Sequence, residues 1–160
     1  MDLKKIISQG ESETVEFKKS LSESKEIINT ISAFANTKGG KIFISVSNYG
    51  KVLGVEIGKD TAERLVNQIT QNTDSKIHPH ITVEKIGEKQ IIIIKIKESS
   101  DHLVLAFGRP YKRVGKSTLR MSKDEYERLI LEKHKDKLYF DSQICKEATI
   151  NPLLWLTFYF

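Results

Sequence analysis

The sequence has 160 residues, 39% of them hydrophobic and 29% charged. That balance excludes collagen-like, coiled-coil and wholly disordered chains, and the length allows one domain, or one domain with a tail, whose core needs no staples. Lys and Arg number 26 against 21 Asp and Glu, for a net charge of +5, and the single cysteine, Cys145, excludes an internal disulfide and a Cys-rich zinc site.

In chain order, Leu3, Ile6 and Ile7 give a short mixed lead, and Thr14 to Phe17 alternates as a brief strand. Ser20 and Glu23 have capping-box spacing, which predicts a helix with Ile27, Ile31, Phe34 and Ala35 on its apolar face, stopped by Gly39-Gly40. Lys41 to Ser47 reads as a strand with Ile42, Ile44 and Val46 on one face, and Lys51 to Val55 as its hairpin partner across Asn48-Tyr49-Gly50. A helix opens at Asp60 and turns Ala62, Leu65, Val66 and Ile69 inward. Ile81 to Ile86 and Gln90 to Ile96 form a second hairpin, and the isoleucine run at 91 to 94 predicts a central strand covered on both faces. Leu103 to Phe107 is strand-like, Gly108-Arg109-Pro110 turns, and Tyr111 to Val114 is extended. A further capping box, Ser122 with Glu125, opens a helix using Tyr126, Leu129 and Ile130. These elements predict a single α+β domain over residues 1–150, with a mostly antiparallel or mixed sheet and helices packed on one face. Residues 151–160, an apolar tail ending in Phe158, Tyr159 and Phe160, dock on this domain or a partner, or continue into another domain. No apolar run approaches the ~20 residues of a membrane span, and the first ten lack a signal-type apolar core, so the expected setting is cytoplasmic with no membrane partner.

The clearest charge feature lies between Leu103 and Lys123, which holds Arg109, Lys112, Arg113, Lys116, Arg120 and Lys123 and no acidic residue. Such cations among Gly108, Gly115, Ser117 and Thr118 suit phosphate oxygens, although a solvated edge hairpin carries lysines too. Gly115-Lys116-Ser117 lacks the first glycine of a Walker loop, and Gly39-Gly40 has no Gly-Lys-Ser/Thr after a four-residue spacer. Glu11, Glu13 and Glu16 form an acidic knot. Along an extended chain Glu11 and Glu16 would be about 16 Å apart on opposite faces, so they could share a divalent metal only if the chain bends. His78-Pro79-His80 reads as a loop before a strand.

Several segments together resemble the Schlafen AlbA_2 domain family: Glu11-Ser-Glu-Thr-Val-Glu-Phe-Lys18, Ile31-Ser-Ala-Phe-Ala-Asn-Thr-Lys-Gly-Gly40, Ile42-Phe-Ile-Ser-Val46, Gly50, Leu53-Gly54-Val55, Arg109-Pro-Tyr-Lys-Arg-Val-Gly-Lys-Ser-Thr118 and Phe140-Asp-Ser-Gln. The resemblance runs from Glu11 to about Ala148 and implies a compact domain of transcriptional regulators related to nucleic-acid-binding Alba-like folds. It also implies an enzymatic alternative, because Schlafen members cleave tRNA and rRNA with a carboxylate trio. Glu11 and Glu16 match two of the trio, while Ser47-Asn48 stands where the third, an aspartate, belongs.

The expected function is therefore binding of DNA or RNA by a DNA-binding transcriptional-regulator domain. Arg109, Lys112, Arg113, Lys116 and Arg120 would contact phosphates, Lys18 would add positive charge, and no cofactor would be needed. The alternative is a metal-dependent endoribonuclease with Glu11 and Glu16 as catalytic and metal-binding groups and Mg²⁺ or Mn²⁺ as cofactor. A nucleotide-binding regulator ranks last, since it has neither a Walker lysine nor an acidic Mg²⁺ partner. A free tail bearing Trp155, Leu156 and three further aromatics would expose a large apolar surface, which either a homodimer or packing on its own domain would cover.

Overall fold

Four consecutive isoleucines set the architecture, because a strand that is apolar on both sides must be covered on both faces. In the computed structural model, which describes residues 3–74 and 77–134, Ile91 to Ile94 are all buried in β4 (Lys89–Ile96). β4 lies between β2 (Gly40–Ile44) and β3 (His80–Ile86), antiparallel to both. β1 (Val15–Lys18) completes this sheet by pairing parallel to β2, linked through α2 (Ser24–Ala35), the kind of crossover a parallel pair requires. A second, antiparallel sheet has the order β5 (Leu105–Ala106), β6 (Arg109–Val114), β7 (Ser117–Arg120).

Alternation along β2 and β4 divides the core in two. Ile42, Ile44, Ile92 and Ile94 meet Ile27, Ile31 and Phe34 of α2 and Leu65 and Ile69 of α3 (Thr61–Gln71). Phe43, Ile91 and Ile93 meet Phe17 on the other side, where Ile7 of α1 (Leu3–Gln9) closes over them. The chain is thus a single α+β domain with a mixed sheet. Its two longer core helices share one face, and the short α1 covers the other. α4 (Lys123–Lys133) opens on the predicted capping box, with Ser122 and Glu125 each bonding the other's backbone N–H.

Local expectations change in two places. Ser45 adopts a left-handed conformation (φ 71°), which ends β2 and reverses the alternation, so Val46 joins Phe43 rather than Ile42 and Ile44. Its expected hairpin partner is reduced to a single Val46–Val52 bridge. The capping box at Ser20 and Glu23 does not form: Glu23 is the residue before α2, and its carboxylate accepts the Lys19 N–H at 2.9 Å. The expected boundary after residue 150, the apolar tail, Cys145 and the Phe140-Asp-Ser-Gln match lie outside the described residues.

The two sheets are joined through the C-terminal end of α2. Gly39 ends that helix in a left-handed conformation (φ 69°), donating its N–H to Phe34 O at 2.8 Å. Gly40 then passes so close to the Phe34 ring that a Cβ would sit 2.7 Å from it. Asn36 is buried and spans the gap: its Oδ1 accepts the Val104 N–H at 2.8 Å, and its Nδ2 donates to Val104 O at 2.8 Å and Tyr111 O at 3.0 Å. Ser32 Oγ donates to the same Val104 carbonyl at 2.6 Å. Asn36→Ala would leave the buried Val104 N–H without its partner. The expected loss is about 2–3 kcal/mol of unfolding free energy by urea titration, and a loss below ~1 kcal/mol would contradict this role.

Candidate nucleic-acid interface

β1 is an edge strand, so one row of its backbone groups faces away from β2, and the preceding segment covers that row. Val15 O accepts from Ser12 N at 2.9 Å, and Phe17 N donates to Glu11 Oε1 at 3.3 Å. Gly10, at φ 81°, lies at the start of this bend. The bend brings the Glu11 carboxylate to the residue after Glu16, a proximity that an extended chain could not give. The Glu16 side chain projects to the α2 side of the sheet, opposite Phe17.

There Glu16 meets Arg113 of β6. Arg113 Nη2 lies 2.6 Å from Glu16 Oε2, and the arginine side chain is wholly shielded from solvent. Its remaining donors also point inward, Nη2 to Ser12 O at 3.0 Å and Nη1 to Thr118 Oγ1 at 2.9 Å, while the guanidinium sits 5.1 Å from the centroid of the Phe34 ring. The other Glu16 oxygen lies 2.9 Å from Lys18 Nζ, and Lys18 also approaches Glu23 at 4.0 Å. This corrects the expectation that Arg113 contacts phosphate: all of its donating edge is used inside the molecule. Lys18 is likewise engaged by carboxylates and only slightly exposed.

The same geometry bears on the metal that the nuclease alternative implies. Both Glu16 oxygens face cations, and Glu11 is hydrogen-bonded to backbone. Among the described residues no group of three or more His, Cys, Asp or Glu side chains is placed to hold a metal ion. Asn48, exposed in the turn before Gly50, offers only a neutral oxygen. A divalent ion does not fit these residues as arranged. His78 and His80 line a cleft of about 460 Å³ with His102, and His80 opens β3 as the loop-then-strand reading expects.

The remaining cations of the basic segment divide into two groups. Lys112 forms an ion pair with Glu125 at the cap of α4. That pairing, with the Ser122 N–H, holds the Glu125 carboxyl down at about 2 from its ordinary 4.5, so its contribution to the cap is complete above that ordinary value and is lost as pH falls toward 2. Arg109, Lys116 and Arg120 are exposed, and none has an ion-pair partner among the described residues. Lys116 stands at the tip of the β6–β7 hairpin, in a two-residue turn that Gly115 opens at φ 56°. Sequence reasoning missed two neighbours of these cations. Lys25 of α2 and Phe107 of the β5–β6 turn share a cleft with Arg109 and Tyr111. Lys25 is remote in sequence, and the only signal at Phe107 was a Phe-Gly pair at a hairpin turn.

A basic hairpin clamped by a buried ion pair to the edge of a mixed sheet, with a helical crossover behind it, defines a small α+β domain. The family follows from the comparison: a model described as "Schlafen, AlbA_2" matches residues 11–122, and the chain belongs to that family. Among solved structures it is similar in fold to the DIP2311 protein of Corynebacterium diphtheriae, at TM-score 0.60 and 16% identity. That match covers 76% of this chain and 27% of the other, so the domain corresponds to about a quarter of that protein. It is also similar to the N-terminal domain of a RecG-related protein, a candidate ATP-dependent DNA helicase, from Nitrosomonas europaea, at TM-score 0.54 and 21% identity over 76% of this chain and 95% of that one. No curated protein matches. No helix among the described residues is long and apolar enough to cross a membrane.

Proposed function

We propose that this chain is a nucleic-acid-binding domain, a cytoplasmic DNA-binding module of a transcriptional regulator, that holds phosphates through Arg109, Lys116 and Arg120 without cleaving the strand and without a cofactor. The observation that carries this reading is the β5–β6–β7 sheet, which has no acidic residue and presents three exposed cations with no ion-pair partner among the described residues. Lys18 and Lys112 are paired with carboxylates, and Arg113 holds the hairpin in place. Family membership and the similarity to a RecG-related domain support the same direction. Nothing in this arrangement specifies base-edge readout, so the domain by itself discriminates little between sequences.

The dimer remains part of this proposal and rests on the apolar residues 151–160. Light scattering should find the intact chain dimeric and a chain ending at Thr149 monomeric, and two monomers would contradict it.

Affinity should fall steeply with salt through counterion release, the slope of log K against log salt changing by about 0.9 for each duplex phosphate that is no longer neutralised. Anisotropy titrations of duplex DNA, single strands and tRNA should show that slope flattened by about two such steps in a Lys116→Glu, Arg120→Glu double variant. Equal binding by parent and variant at every salt concentration would overturn the assignment. In the same tRNA mixtures, added Mg²⁺ or Mn²⁺ should cause no cutting, whereas specific cleavage abolished by Glu11→Gln would establish the endoribonuclease alternative.

A further inference from the structure

The two-residue turn between β5 and β6 pairs Ala106 with Arg109 and has positive φ at both central residues, 51° at Phe107 and 69° at Gly108. Turns of this kind favour asparagine, aspartate or glycine at the first position, because a larger side chain in the left-handed region crowds its own backbone. Here the position carries phenylalanine, 43% exposed and outside both core clusters. Neither turn geometry nor core packing accounts for the ring, and strain held at an exposed position motivates a functional role.

Phe107 shares a cleft of about 400 Å³ with Tyr111, Lys25 and Arg109. The lining is thus two aromatic rings and two cations, and neither cation has an ion-pair partner among the described residues. Arg120 stands directly opposite Tyr111 across the β6–β7 ladder and places a third positive charge beside it. Cations alone would suit any anion. A flat aromatic face beside cations suits a ligand that has both a planar π-system and a phosphate, which is a nucleotide with an unstacked base. In a duplex the base faces are covered by their neighbours, so Phe107 could stack on none of them without extruding a base.

We infer that this cleft is a subsite for one unpaired nucleotide, its base stacked on Phe107 beside Tyr111 and its phosphate held by Lys25 and Arg109. The domain therefore prefers single strands to duplexes. This rests on the nucleic-acid reading above and adds to it the strand form that is bound.

The test is fluorescence anisotropy with short labelled oligo-uridylate and oligo-thymidylate strands and a duplex of the same length. Phe107→Gly removes the ring while relieving the left-handed strain, so folding, checked by thermal unfolding, is kept. It should weaken single-strand binding about tenfold with the salt slope unchanged, because a stacking ring carries no charge, and leave duplex binding as it was. Phe107→Trp should restore the affinity. Unchanged single-strand affinity in Phe107→Gly, or an equal loss on duplex, overturns the subsite. If that result comes with a loss in the Lys116→Glu, Arg120→Glu variant, the basic-hairpin reading stands alone. If the parent binds none of the three probes, both fail together.

Discussion

The buried pair of Glu16 and Arg113 ties the basic hairpin directly to the edge of the larger sheet. Taking two charges out of water costs several kcal/mol each, and their attraction offsets that only where geometry is good and the remaining donors are satisfied. Arg113 satisfies its remaining donors, while Glu16 Oε2 meets it as a close ion pair without an aligned hydrogen bond. The arginine's planar fork reaches Glu16, Ser12 O and Thr118 together, and its cationic face lies over Phe34. A lysine could not make this set of contacts. The pair adds little net stability compared with an apolar filling of the same shape. What it contributes is position: it ties β6 to β1, with Lys116 and Arg120 exposed on the hairpin.

The segment Ser-Ala-Phe-Ala-Asn-Thr followed by Gly-Gly has a physical explanation in the same junction. Ala33 and Ala35 are fully buried. Phe34 lies between Gly40 and Arg113, serving the helix stop and the ion pair at once. Ser32 and Asn36, one turn apart, hold Val104 and the start of the second sheet, and Thr37 turns its hydroxyl back to Ala33 O at 2.8 Å. A single stretch of chain thus ends the crossover helix, opens β2 and anchors β5 and β6.

Much of the fold was legible in the sequence, because it depends on periodicity. The isoleucine run, the second hairpin and the Ser122–Glu125 cap all follow from spacing alone. What failed depended on single backbone angles or competing partners. Ser45 in the left-handed region moved Val46 to the opposite face, and Lys19 N–H took the Glu23 carboxylate that a cap would have used. The site was legible as a composition and not as a geometry. Arg113 sits among lysines and arginines in the sequence, and nothing local distinguishes it from Arg109 or Arg120. Its burial is set by Glu16, which is remote in the chain, and by the Phe34 ring of α2 that its guanidinium lies over. Glu16 matched a metal ligand for the complementary reason, since its partner Arg113 comes from elsewhere in the fold, and Glu11 is taken up by the Phe17 N–H. A charged residue's role is decided by what the tertiary structure places opposite it.

The central claim is that Glu16 is a structural half of the clamp that carries the basic hairpin, and urea unfolding of Glu16→Gln at neutral pH tests it most directly. Removing this carboxylate would leave the Arg113 charge buried without its counter-ion, and the account predicts a loss of about 3 kcal/mol in unfolding free energy. A variant as stable as the parent, or more stable, would contradict it. That result is what a carboxylate kept for chemistry rather than for architecture would give.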